Sequence, residues 1–185
     1  MPRVLLVSGS PSADSRTAAA VQLAGAPLAA AGHRTDTLAV RDLPPDALLR
    51  ADTADPRLRE AAARVAAADA LVIGTPVYRA SFSGLLKSWL DVLPRHALRG
   101  KAVLPLATGG SLAHALVLDY ALRPVLGSMG AAPVTQGCFV LDAAVTRPAD
   151  GAPARLDPEA SARLARAVTW LGDALPGPVA AVAAA

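Results

Sequence analysis

Three short stretches of small, hydroxyl-bearing residues hold most of the chemistry this chain offers: SGSPSADSRT at 8–17, GTPVYRASFSG at 74–84 and ATGGSLAH at 107–114. Each follows an apolar run and leads into a helical pattern. In the first, a turn entering a helix presents free backbone N–H groups and the positive end of the helix dipole, which together suit a phosphate. Ser10, Ser15 and Thr17 can add hydroxyl donors and Arg16 a charge. An ordinary Ser/Pro turn with a helix cap has the same make-up. The stretch is not a Walker loop, because no Gly-Lys-Ser/Thr closes it, and it is not a Gly-x-Gly-x-x-Gly dinucleotide turn.

In the second stretch Pro76 biases Thr75 toward extended geometry, and Val77 and Tyr78 then suit the side of a flat ring. Tyr78 and Phe82 read as core residues, the commoner case at a helix entrance, but finding two of the chain's six aromatic residues (two Tyr, two Phe and two Trp) within five positions strengthens the case for a planar ligand nearby. In the third, Gly109 and Gly110 either let the backbone approach a ligand closely or take positive φ, and a plain tight turn is the alternative. His114 is a residue type able to move protons, yet its place suggests a helix-entrance cap or a ring-edge contact rather than proton transfer. His33 and His96 have no carboxylate or cysteine at ligand spacing, so no metal is expected. Cys138 stands alone in an apolar run and reads as a small buried hydrophobe.

The elements that must position these turns alternate between strand and helix. Strand patterns at 3–8, 33–40, 69–75 and 101–108, with a last one inside 132–141, are separated by helical stretches at 15–32, 55–68, 83–93, 113–130 and 157–175. Pro27 should kink or end the first helix before Gly32 caps it, and Pro124 should interrupt the fourth. Asp55 and Pro56 read as N-cap and first residue of the second, while Leu85, Leu86, Trp89 and Leu93 fall at core spacing in the third. Residues 41–56, with three prolines and four aspartates, read as a long loop. Repeated βαβ units imply an α/β three-layer sandwich on a five-stranded parallel sheet, flavodoxin-like in its order 2-1-3-4-5. Ligands in such sheets bind beyond the carboxyl ends of the strands where the order reverses, which is where strands one, three and four end.

A chain of 185 residues that is 53% hydrophobic and 18% charged can bury one full core, so 1–175 reads as a single domain followed by an Ala/Pro-rich tail at 176–185. No apolar window is long enough to span a membrane and no leader is evident, so a cytoplasmic protein is expected. The net charge of +3 comes from scattered arginines without interleaved aromatics, which argues against nucleic acid and suits anionic small molecules.

The stretches GSPSADSRT, TPVYRASFSGLLKSWLDVLP, LRGKAVLPLATGGSLAH and DYALRPVL together resemble the NADPH-dependent FMN reductase family, most closely the branch that supplies reduced flavin to alkanesulfonate monooxygenases. The resemblance covers residues 3 to about 141. It implies FMN and NADPH as ligands, with the phosphate at Ser10, Ser15, Arg16 and Thr17. The ring and ribityl chain would meet Pro76, Val77, Tyr78, Arg79 and Ser81, and a second side of the ring Thr108, Gly109, Gly110 and Ser111. Many relatives carry Arg where Ser12 stands here, so either Arg16 takes more of the phosphate charge or FMN binds more weakly. Tyr120 matches a residue that in those relatives lies in a π-type bulge at a subunit interface near the flavin and is associated with flavin release. The resemblance further implies a homo-oligomer, dimer or tetramer, and an FMNH2-dependent monooxygenase as partner.

Hydride transfer between nicotinamide and flavin requires no protein nucleophile or metal, so no catalytic acid or base is expected. Arg79, Arg95 and Arg99 are candidates for the adenine-ribose 2′-phosphate. The competing readings are a flavin-retaining quinone, azo or chromate reductase on the same fold, and a non-catalytic flavodoxin-like electron carrier, which the basic pI of about 9.6 disfavours. A receiver module is a third, but strand one ends in Ser8-Gly9-Ser10 where phospho-acceptor chemistry would require acidic residues.

Overall fold

Near-continuous apolar runs become buried strands because helices cover both faces of the sheet they form. The structure, a computed structural model, describes residues 1–147 and 152–175. Its parallel strands are β1 (Arg3–Ser8), β2 (Arg34–Ala39), β3 (Ala70–Tyr78), β5 (Ala102–Gly109) and β6 (Cys138–Leu141), in the order β2-β1-β3-β5-β6. That is the expected flavodoxin-like order, with its reversal between β1 and β3. A two-residue strand β4 (Ser81–Phe82) folds back antiparallel on the end of β3, and β7 (Val145–Thr146) pairs with β8 (Arg155–Leu156) away from the sheet.

Alternation along each strand divides the core in two. Val4 and Leu6 pack under α1 (Arg16–Ala30) and α6 (Pro158–Asp173), whereas Leu5 and Val7 pack under α2 (Pro45–Arg50), α3 (Pro56–Ala67), α4 (Gly84–Val92) and α5 (Arg123–Ser128). Trp89 and Leu86 anchor α4, and both are fully buried. Strand β2, at the sheet edge, is polar and exposed along most of its length. Arg64 on α3 clamps it with a bidentate bond to Asp36 and a third to the Thr37 carbonyl, and the guanidinium holds the Asp36 carboxyl below the usual range against a smaller opposing effect of burial.

Several expectations give way to tertiary structure. Helix α1 continues through Pro27 to Ala30 rather than ending there, and Gly32 at φ +87° closes it: its N–H bonds Ala29 O and that of His33 bonds Leu28 O. The 41–56 segment is not a loop throughout, because Pro44 and Pro45 start α2 rather than break it, and α2 buries its Ala47 and Leu48. The stretch at 113–130 is not one helix. Residues Leu112–His114 form a 3₁₀ turn, Leu118–Leu122 a π turn, and only then α5, so the irregularity precedes Pro124. The last strand occupies 138–141 of the 132–141 stretch. The expected tail at 176–185 lies outside the described residues. Among the described residues no helix is long and apolar enough to cross a membrane, and no cluster of His, Cys, Asp or Glu could hold a metal.

Close packing of α1 on the sheet depends on Gly74, where an added Cβ would sit 2.2 Å from Val21 Cγ2. Gly74→Ala is therefore expected to lower stability by about 1–3 kcal/mol, read as a lower denaturation midpoint at unchanged slope, with Val21→Ala in the same chain restoring part of it. Burial pushes the Cys138 thiol up to about 11 from its ordinary value of 9.0, against weaker pulls from Arg163 and Arg166. The folded state then keeps its proton where the unfolded chain loses it, so this contribution to stability is present below pH 9.0 and lost as pH rises toward 11. Cys138→Ala should flatten that part of an alkaline stability profile, and the native thiol should react with disulfide reagents only slowly at neutral pH.

Candidate active site at the switch point

In-register pairing of Ser8 with Gly74, and of Gly74 with Leu106, carries β1, β3 and β5 to a common edge. The three turns leave the sheet there, and buried hydrogen bonds lock them together. Gly9 N–H donates to Gly74 O at 2.8 Å. Ser83 is the hub: its hydroxyl donates to Gly9 O at 2.5 Å and accepts from Leu86 N at 3.0 Å, while its own N–H donates to Thr75 Oγ1 at 2.9 Å. One side chain thus caps α4 and fixes the second turn to the first. Thr17 and Thr108, both named from the sequence, spend their hydroxyls on each other at 2.7 Å, tying α1 to β5. At Gly9 an added Cβ would lie 2.6 Å from Leu86 Cβ, so the first turn rests directly on α4.

The first turn runs into α1 with Ser15 as N-cap, its hydroxyl accepting from Ala18 N at 3.0 Å. Ser10 is 4% exposed and accepts from Ser12 N, whereas Arg16 is exposed on the first turn of α1. A cavity of about 310 Å³ opens beside this turn, walled by Ser10, Ser12 and Ser15 and by two arginines that sequence reasoning did not single out, Arg41 and Arg147. Arg41 lies in the short 3₁₀ turn after β2, and Arg147 follows β7. Neither belongs to a turn of the expected kind, so only the fold could reveal them.

The second stretch is more regular than expected. Strand β3 extends through Pro76 and Val77 to Tyr78, and the chain reverses at Arg79 and Ala80 to pair Val77 with Phe82 and Tyr78 with Ser81. Arg79 and Ala80 have φ of 50° and 60°, the geometry of a two-residue hairpin turn that normally selects glycine or asparagine. Tyr78 is half exposed at this hairpin, with Arg79 at its tip. In the third stretch Gly109 ends β5 and Gly110 follows it. Neither takes positive φ, so that option falls away. An added Cβ at Gly109 would press on Phe139 at 3.2 Å, but at Gly110 it would meet nothing within 4 Å, which leaves open space on that side.

Ser111, not His114, caps the following turn by accepting from Ala113 N. His114 Nδ1 is instead buried without a partner. Beyond it the π turn places Tyr120, 78% exposed, on a segment packed against β4 and β5. The turn is defined by Arg123 N–H bonding Leu118 O, five residues back, and Pro124, lacking an N–H, falls where the ladder returns to four-residue spacing. Arg123 pins this segment through Asp119 and the carbonyls of Val134 and Thr135. Arg95 and Arg99 lie at the opposite end of the sheet, before β5 begins, about 25 Å away along an eight-residue strand, which removes them as partners of a ligand at this edge.

Stacked strand ends, a phosphate-suited turn and two further turns facing it match a known pattern. The profile of the NADPH-dependent FMN reductase family matches residues 2–146. The chain belongs to this family. It is 44% identical to an FMN reductase (NADPH) of Pseudomonas putida over 83% of its length and 78% of that relative's. It is 41% identical to an FMN reductase (NADPH) of Escherichia coli K12 over 77% and 75%. A crystal structure of an apo NADH:FMN oxidoreductase superposes with a TM-score of 0.85 at 42% identity, covering 96% of this chain and 91% of the other. The protein is accordingly an NAD(P)H:FMN oxidoreductase, an enzyme that binds FMN and NAD(P)H.

The residues present fit FMN: buried hydroxyls and arginines surround the α1 N-terminus, the third turn leaves open space at Gly110, and the 3₁₀ turn after it carries an orphaned imidazole nitrogen. Because Ser83 holds two turns at once, Ser83→Ala should destabilise the fold by about 1–3 kcal/mol and weaken FMN binding as the first turn loosens. Ser81→Ala, two residues away on the short hairpin strand, should leave stability within about 0.5 kcal/mol when thermal melts of the two variants are compared.

Proposed function

We propose that this oxidoreductase treats FMN as a substrate it releases, handing FMNH2 to a monooxygenase of the sulfonate-desulfonating type, and that it works as a homo-oligomer. The observation that carries the reading is the π turn with exposed Tyr120 beside the third turn. Leu112 and Leu116, each 62% exposed, precede Tyr120 at four-residue spacing and extend an apolar face fit to meet a second subunit. A site completed by a neighbouring subunit can open when that contact shifts, which suits turnover of a released flavin.

In this reading Ser10, Ser15 and the first N–H groups of α1 hold the phosphate, with Arg16 at its outer side. Pro76, Val77 and Tyr78 line one side of the ring, Arg79 and Ser81 the hairpin at its edge, and Gly109, Gly110 and Ser111 the other side. His114 offers its unpartnered nitrogen to the ring edge. Thr17 and Thr108 position rather than touch, since each already holds the other. The bound cofactors supply hydride donor and acceptor, so the chain contributes alignment and exclusion of water rather than an acid or base. NADPH is the proposed donor, with Arg79 the site arginine able to meet a 2′-phosphate.

Steady-state NADPH oxidation by purified protein, with free FMN varied with and without oxygen, tests the reading. Colourless protein whose turnover saturates with added FMN and yields free FMNH2 is the expected result. Yellow protein indifferent to added FMN but fast with a quinone would replace it with a flavin-retaining reductase.

A further inference from the structure

The first turn contains a charge of the wrong sign for a phosphate. Between Gly9 and Ser15 its one ionisable side chain is Asp14, a carboxylate 83% exposed at the entrance of α1. Placed beside a phosphate dianion it would repel it. The structure shows how this repulsion is managed: Arg147, reaching over from the segment after β7, is ion-paired with Asp14. The two residues are 133 positions apart in sequence and meet only at the cavity rim. The Arg147 side chain is 24% exposed and lines the same cavity as Ser10, Ser12 and Ser15. The other cavity arginine, Arg41, is 3.5 Å from Asp42, so both guanidinium groups are neutralised by carboxylates.

We infer that Arg147 is the phosphate-recognising arginine of the first turn and that Asp14 is its internal stand-in, holding the guanidinium until a phosphate monoester takes it. A phosphate presents more acceptor oxygens and more charge than a carboxylate, so it can win the planar fork of Arg147 while exposed Asp14 turns to water. The exchange leaves FMN affinity lower than the arginine alone would give, because binding must first break the pair. That suits a flavin that is released after each turnover. The inference rests on the reading that the FMN phosphate sits at the first turn.

Flavin affinities measured by fluorescence quenching, for FMN and for riboflavin, separate the possibilities without any need for turnover. Riboflavin carries the same ring and ribityl chain but no phosphate. Arg147→Gln should weaken FMN binding about tenfold or more, and Asp14→Asn should tighten it several-fold, with riboflavin affinity unchanged in both. Arg147→Lys, which retains charge but not the fork, should fall between wild type and Arg147→Gln. Unchanged FMN affinity in Arg147→Gln, in a protein that still prefers FMN to riboflavin, would overturn the exchange and leave the phosphate at the first turn. Equal losses for both flavins would reduce Arg147 to a structural residue and overturn it as well. Wild-type protein that binds the two flavins equally would overturn both the exchange and the placement of the phosphate.

Discussion

One hydroxyl organises the working edge of this protein. Ser83 Oγ, buried between the first two turns, donates to Gly9 O and caps α4, and it does so because Gly9 lets the first turn rest on α4 without a side chain between them. With Thr17 and Thr108 closing the link to β5, three turns that would otherwise move independently become one rigid rim. A buried hydroxyl left without its partner would cost more than the bond itself contributes, so the rim is held in a single arrangement. Reactions between two bound cofactors demand this more than they demand a reactive side chain, since relative placement of the rings is what the protein can supply.

Around that rim the structure is graded from rigid to open. The stapled residues are almost wholly buried, whereas Tyr78, Arg79, Leu112, Leu116 and Tyr120 are exposed. The hairpin at Arg79 and Ala80 keeps a left-handed backbone without glycine, and the π turn keeps an extra residue in its ladder. Both departures from regular geometry flank the third turn, and both aim a side chain away from the core. The electrostatics follow the same division, with Arg41 and Arg147 drawn from distant segments to the cavity beside the first turn.

Much of this was legible in the chain. Apolar runs interrupted by small-residue turns identify the strands, their order follows from the handedness of βαβ units, and the ligand edge follows from that order. Prolines misled where local rules meet tertiary packing. Pro27 stays inside α1 because that helix is held down by buried Ala20, Val21, Ala24 and Leu28, whose packing offsets one lost hydrogen bond. Pro44 and Pro45 were signs of a helix start rather than of a loop. Ser83 directly precedes the helical run and is legible as its cap, but no local pattern marks its hydroxyl for Gly9 O, 74 positions away.

Local sequence therefore determined which segments become strands and helices, where chain reversals fall, and which turns carry small, hydroxyl-bearing residues, because these depend on residues within one turn or one hydrophobic period of each other. Tertiary structure alone decided which hydroxyls are consumed in holding the rim, as with Thr17 and Thr108. It alone brought Arg147 to Asp14 and removed Arg95 and Arg99 to the far end of the sheet. Those outcomes depend on pairs of residues separated by many tens of positions, whose distance is set by sheet order and strand length, and no local pattern in the chain encodes that distance.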